Sequence, residues 1–144
     1  MQGRLVVVDT NVLVSGLITS QVGSPPCRIV DEMLHGSFGF LLSLDLLAEY
    51  RKVLLRPKIK ALHCLTENEV DEVLTTITTN GTMREPKRGQ AQEVNPGDQH
   101  IWDLVESASD TPLVTGDLVL KKSFPMDAIV FSPLEFVEQV LPRR

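Results

Sequence analysis

Apolar residues form short runs along the chain, and longer segments with helical periodicity lie between these runs. The runs occupy residues 4–8, 38–43, 112–117 and 128–132. A short β-branched run without polar alternation is typical of a strand that is buried on both faces, as in the centre of a parallel sheet. We therefore predict four strands at these positions. Residues 80–97, which are rich in Gly, Pro and charged residues, are predicted to be a loop with one short strand.

Capping residues indicate where the helices between these strands begin. Ser24 followed by Pro25 predicts a helix that extends to about His35. Pro57 is expected to end the helix that follows residue 43, because proline disrupts a helix interior. The other predicted helices begin at Thr10 or Asn11, after Ser43, at the Thr66–Glu69 capping box, after Asn95, and at the Ser132–Glu135 capping box. The helix that begins after Asn95 is predicted to have Ile101, Trp102, Val105 and Ala108 on its inner face.

Strands that alternate with helices along the whole chain predict a mainly parallel sheet with helices on both faces. The predicted fold class is therefore α/β, as a three-layer α/β/α sandwich. At 144 residues the chain is expected to be a single domain, residues 1–144, with a core that needs no disulfide.

Composition excludes several classes of protein. The chain is 42% hydrophobic and 23% charged, which is typical of a globular domain. It contains neither an apolar run of the roughly 20 residues that span a bilayer nor a signal-peptide pattern, so we expect a cytoplasmic protein without a membrane partner. Cys27 and Cys64 form no CxxC pair, which argues against structural zinc. The net charge of −5 argues against a broad nucleic-acid-binding surface but permits a local site.

Four acidic residues are expected near one edge of the sheet. Asp9 and Asp117 follow strands, and ligands bind outside the carboxyl ends of the strands in open parallel sheets. Glu49 lies beside the buried stripe of its helix, and Asp98 lies in the first turn of another helix. Each residue alone has a structural explanation as a cap or turn residue. Four carboxylates in one cleft would repel one another, so their convergence would favour a bound divalent cation, Mg²⁺ or Mn²⁺, which prefer oxygen ligands.

Four segments carry a family resemblance: VVVDTNVLVSGL, SLDLLAEYRKVLLRPK, NPGDQHIWDLV and LVTGD. In this order they resemble a PIN domain, closest to the toxin components of bacterial toxin-antitoxin systems. The resemblance implies a metal-dependent ribonuclease, a protein antitoxin as partner and a homodimer. It also implies catalytic metal ligands at Asp9, Glu49, Asp98 and Asp117, and supporting polar roles for Thr10, Asn11, Ser43 and Thr115. One position departs from the pattern, because such toxins often carry a further acid where this chain has Asn95.

Hydrolysis of an RNA phosphodiester suits such a site, because a carboxylate-held metal polarises phosphate oxygens and activates water. Attack by water would leave a 5′-phosphate and a 3′-hydroxyl. This chemistry needs no histidine, and His100 is expected to be a solvated or loosely packed side chain. The RNA backbone requires positive charge, for which Lys121 and Lys122 are best placed because they follow a turn on the crevice side. Other basic residues considered for this role are Arg51, Lys52, Arg56, Lys58, Lys60, Arg84, Lys87 and Arg88.

Two alternatives stay open at this point. Haloacid-dehalogenase-type phosphatases also begin with a strand that ends in Asp, but their chemistry requires a second Asp two positions later, where this chain has Asn11. A catalytically silent PIN-like module for RNA binding or assembly is the other alternative. Loss of one or more acids would favour the silent module, whereas all four are present.

Overall fold

The computed structural model describes residues 5–19, 21–86, 99–108, 110–117 and 129–141. Within these ranges the chain alternates between short strands and helices. In chain order the elements are β1 (Val7–Val8), α1 (Thr10–Ile18), α2 (Pro25–His35), β2 (Leu41–Leu42), α3 (Leu44–Leu54), α4 (Pro57–His63), α5 (Glu67–Asn80), β3 (Thr82–Met83), α6 (Gln99–Glu106), β4 (Leu113–Val114), β5 (Val130–Phe131) and α7 (Pro133–Gln139).

The strands pair in parallel throughout the described residues. β1 pairs with β4 and β4 with β5, while β2 pairs with β3. A parallel bridge between Val6 and Phe40 joins the two groups, giving the spatial order β3-β2-β1-β4-β5. The predicted parallel α/β fold is thus confirmed. The four strands that apolar runs predicted, β1, β2, β4 and β5, are shorter than those runs, and β3 lies in the segment predicted to be a loop with one short strand.

The strand order determines where the helices lie. The chain moves outward from β1 through β2 to β3, and then returns across the sheet to β4 and β5. Because crossovers between parallel strands are right-handed, these two directions of travel place their helices on opposite faces of the sheet. The reversal occurs at β1 and β4, and the carboxyl ends of strands at such a switch point form a ligand crevice.

Capping residues fix most helix starts where the sequence predicts them. Ser24 caps α2, and Thr66 and Ser132 form complete capping boxes with their glutamates. The interpretation of Pro57 was incomplete: α3 does end before it, at Leu54, but Pro57 also begins α4. Proline is favoured in the first turn of a helix, because a backbone N–H at that position has no acceptor within the helix.

The core lies between the sheet and its covering helices. Tyr50, Phe40 and Phe136 are the largest of its fully buried side chains. Helices α1 and α2 touch so closely at Gly16 that a Cβ there would lie 2.5 Å from the carbonyl oxygen of Pro26. No helix in the described ranges combines the length and apolar character needed to cross a bilayer.

The inner face of α6 differs slightly from the prediction. Ile101 and Trp102 are buried as expected, but Leu104 is the third buried residue of this helix. Val105 and Ala108, which were predicted to face inward, are only partly buried. The proposed cap at Asn95 lies outside the described residues.

Candidate active site

A cleft of about 330 Å³ opens at the carboxyl end of β1. It brings together the β1–α1 junction, one side of α3, the start of α4 and the segment after β4. Three of the four predicted acidic ligands, Asp9, Glu49 and Asp117, lie on its walls. The other lining residues are Thr10, Asn11, Val14, Ser15, Val53 and Arg56.

Asp9 lies at the base of this cleft. Its side chain is buried and caps α1, with Oδ1 accepting a hydrogen bond from the backbone N–H of Thr10 at 2.8 Å. Oδ2 accepts two more, from Asn11 Nδ2 at 3.1 Å and from the hydroxyl of Thr115 at 2.7 Å. Its backbone N–H donates to the carbonyl of Val114 on β4. These bonds hold the carboxylate in one orientation.

Thr115 connects β4 to the first helix and to the cleft. Its side chain is buried, and the same hydroxyl that donates to Asp9 accepts from the backbone N–H of Asp117 at 3.0 Å. Asn11 strengthens this connection, because its Oδ1 accepts from the backbone N–H of Gly116 at 3.0 Å. Asp117 itself is exposed at the cleft. The loop after β4 is therefore fixed against the start of α1.

Glu49 reaches the cleft from α3. Its Oε2 accepts a hydrogen bond from the Thr10 hydroxyl at 2.7 Å and lies 3.2 Å from Nε2 of His100 on α6. Burial raises the pKa of Glu49, but the hydrogen bonds from His100 and Thr10 and the charges of His100 and Arg56 outweigh burial and hold this pKa below its usual value. Thr10 thus touches two of the predicted ligands, Asp9 through its backbone and Glu49 through its hydroxyl.

The interpretation of His100 as a solvated or loosely packed side chain was wrong. Its side chain is only 19% exposed and contacts Glu49, whose side chain is 30% exposed. The helical stripe of α6 predicted two of its buried residues, Ile101 and Trp102, but it carried no information about how α6 docks against α3. The contact depends on that docking.

Tyr50 follows Glu49 in the sequence and belongs to the buried face of α3. It is fully buried behind the cleft, and its hydroxyl donates to the carbonyl of Val8 on β1. Burial raises the pKa of Tyr50 well above its ordinary value, and the negative charges of Asp9 and Glu49 raise it further. The neutral phenol therefore ties α3 to the strand that carries Asp9.

Ser43, another predicted site residue, does not line the cleft. Ser43 is buried and uses its hydroxyl to cap α3, accepting from the backbone N–H of Leu46 at 3.0 Å. Asp98, Lys121 and Lys122 lie outside the described residues. Their proposed roles, and a catalytic supporting role for Ser43, stay predictions.

The donor set of the cleft suits a hard divalent cation. Within the described ranges no three histidine, cysteine or acidic side chains form a group that could hold a metal ion, and the fourth predicted ligand lies outside those ranges. The carboxylates that do line the cleft, Asp9, Glu49 and Asp117, offer only oxygen. Oxygen ligands match Mg²⁺ or Mn²⁺ and not a thiophilic metal.

The sequence was compared with curated proteins and with models of protein families. No curated protein matches the chain. The family model described as PIN domain matches residues 5–119, a range that contains every cleft residue named above. The predicted resemblance to a PIN domain is thereby confirmed, and the chain belongs to the PIN domain family.

Proposed function

We propose that this PIN domain is a Mg²⁺- or Mn²⁺-dependent endoribonuclease that hydrolyses RNA phosphodiester bonds. PIN domains are generally nucleases and usually bind divalent metals. The observation that carries the proposal is Asp9, a residue that is 5% exposed and whose carboxylate accepts hydrogen bonds from Thr10, Asn11 and Thr115. It lies in a cleft shared with two further acids. A buried carboxylate with a fixed orientation is pre-organised as a ligand.

Some residues of this site would bind the cation, and others position those ligands. Asp9, Glu49 and Asp117 would hold the cation together with Asp98. When bound, Mg²⁺ or Mn²⁺ supplies activation of water and stabilisation of the charge on the leaving oxygen. Thr115 and Asn11 orient Asp9, and Thr10 orients both Asp9 and Glu49. These contacts keep two ligands at a constant separation, as catalysis by positioning requires.

The toxin role is part of this proposal and is supported by the sequence resemblance. It includes a protein antitoxin that blocks the cleft, a homodimeric enzyme and action on RNA in the cytoplasm. Co-expression of the chain with its genomic neighbours tests the role directly. Growth arrest that depends on Asp9 and is relieved by one neighbouring protein would support a toxin, and normal growth at high expression would contradict it.

The decisive test of the nuclease activity is incubation of the purified protein with structured and unstructured RNA in Mn²⁺ or in excess chelator. We expect cleavage only with metal and products with 5′-phosphates, because water and not a ribose hydroxyl is the nucleophile. Asp9→Asn should abolish cleavage. Asp45→Asn is the matched control, since Asp45 is an exposed acid in the first turn of α3 outside the cleft.

Activity in excess chelator, or 2′,3′-cyclic phosphate ends, would contradict the proposed chemistry.

Turnover of p-nitrophenyl phosphate tests the phosphatase alternative. We expect none, because Asn11 occupies the position of the required acid and its amide is engaged by Asp9 and Gly116. Rapid, Asp9-dependent release of nitrophenol would reverse the ranking of these two enzyme classes.

A further inference from the structure

Arg56 is the basic residue among the side chains that line the acidic cleft. It follows α3, which carries Glu49, and immediately precedes Pro57 at the start of α4. Its side chain is exposed, and its positive charge contributes to the low pKa of Glu49. Arg56 thus shares the cleft with Glu49, a predicted metal ligand.

Two other arginines among the considered basic residues are already engaged. Arg51 donates to Asp71 at 2.8 Å and to Glu67 at 2.7 Å, so two carboxylates neutralise it. Arg84 donates to the carbonyl of Ser107 at 2.8 Å. By contrast, within the described ranges the guanidinium of Arg56 makes no hydrogen bond or ion pair. Its donors are available to a ligand that enters the cleft.

The backbone of Arg56 is held in place although its side chain is exposed. Its N–H donates to the carbonyl of Val53 at 3.1 Å, and its carbonyl accepts from the N–H of Lys60 at 2.8 Å. The residue is thus fixed between the end of α3 and the first turn of α4. A side chain on a fixed junction can present its donors at a reproducible position on the cleft wall.

A cleft with three carboxylates repels a polyanion, so a nucleic-acid substrate requires positive charge on the same surface. Guanidinium matches a phosphate with two parallel hydrogen bonds, which ammonium cannot reproduce. We propose that Arg56 binds non-bridging oxygens of a backbone phosphate in RNA and positions the strand across the acidic cleft. This inference rests on the proposed ribonuclease function and names the residue that holds its substrate.

The test measures binding of a fluorescently labelled, single-stranded RNA oligonucleotide of mixed sequence, in chelator, across a salt series. Wild type is compared with Arg56→Gln, Arg56→Lys and Lys58→Gln. Lys58 is the matched control, because it is an exposed cation on the same short helix and does not line the cleft. The integrity of the RNA is checked by gel after each titration.

We expect Arg56→Gln to raise Kd about tenfold and to lower the slope of log Kd against log salt by about 0.7, the value for one lost contact to a single strand. Arg56→Lys should keep the slope while weakening binding, since it keeps the charge and loses the paired hydrogen bonds. Lys58→Gln should change neither quantity. Melting temperatures should stay within about 2 °C, because both residues are exposed.

Cleavage in Mn²⁺ provides the second measurement. Arg56→Gln should raise KM about tenfold with a smaller effect on kcat, which a general loss of folding would not produce. No binding by the wild type, an unchanged salt slope in Arg56→Gln or equal effects of Arg56→Gln and Lys58→Gln would overturn the inference. Arg56-dependent binding without any metal-dependent cleavage would instead contradict the nuclease function alone.

Discussion

Replacement of Thr115 by valine removes one hydroxyl from the centre of the site while keeping the shape of the side chain. That hydroxyl donates to the Asp9 carboxylate at 2.7 Å and is buried with its residue at 2% exposure. A hydrogen bond to a charged group contributes about 1.5–3 kcal/mol. The N–H of Asp117 also loses its acceptor, but Asp117 is exposed and water can replace it.

The expected loss is therefore about 2–3 kcal/mol in the free energy of unfolding. Asp9 Oδ2 keeps the bond from Asn11, which is longer at 3.1 Å. At roughly 2–4 °C per kcal/mol for a chain of this length, the melting temperature should fall by roughly 4–12 °C. Cleavage should also fall, because the carboxylate loses one of the groups that orient it.

Urea unfolding of the metal-free protein measures this effect, with Thr115→Ser as the control. Serine keeps the hydroxyl and loses one buried methyl group, which costs about 1 kcal/mol. The valine variant should thus be clearly less stable than the serine variant, with the same m-value in both. Equal stability of the two variants, or a valine variant as stable as wild type, would refute the assignment of this hydrogen bond as a main support of Asp9.

Three further predictions concern stability. Tyr50→Phe should cost about 1–2 kcal/mol in urea unfolding, because it leaves a buried carbonyl without its donor; an unchanged midpoint would contradict this. Gly16→Ala should lower the free energy of unfolding by about 1–3 kcal/mol, because the added methyl group overpacks the contact between α1 and α2. This loss outweighs the gain of about 1 kcal/mol in helix propensity. A higher melting temperature of the variant would show that the helices separate easily. The hydrogen bond from Arg51 lowers the pKa of Asp71 in the folded protein. Ionised Asp71 therefore stabilises the fold at pH values above the pKa that Asp71 has in the unfolded chain. This stabilisation is lost as the pH falls through the folded pKa. Asp71→Asn should accordingly lower the melting temperature at about pH 7, and the difference from wild type should shrink as the pH falls through the folded pKa. A pH-independent difference would indicate that Asp71 acts through packing and not through charge.

The sequence predicted those elements whose signals are local. The capping boxes at Thr66 and Ser132 bond within four residues, so their helices begin where the sequence indicates. Pro57 shows the limit of such signals, because proline both ends one helix and favours the first turn of the next. Strand lengths were overestimated because burial of an apolar run does not specify how many of its residues pair.

Part of the candidate site was also accessible from sequence. Parallel strands share a carboxyl edge, which is sufficient to bring Asp9 and Asp117 to one cleft. The contacts of Glu49 with Thr10 and His100 join separate helices, and helix docking depends on packing that no single segment encodes. Arg51 forms ion pairs with two acids of another helix, α5, and Arg56 does not. This difference likewise depends on how separate helices pack.

The hydrogen bond between Thr115 and Asp9 spans 106 positions of the chain, and this separation bears on when the protein becomes active during its synthesis. Asp9 leaves the ribosome early, but its carboxylate lacks the Thr115 hydroxyl, and β1 lacks its neighbour β4, until the later segment has emerged. A nascent chain that ends before Thr115 also lacks Asp117, and so cannot assemble the cleft. For the proposed ribonuclease, this order of synthesis would delay activity while the chain is still attached to the ribosome and to its own messenger RNA.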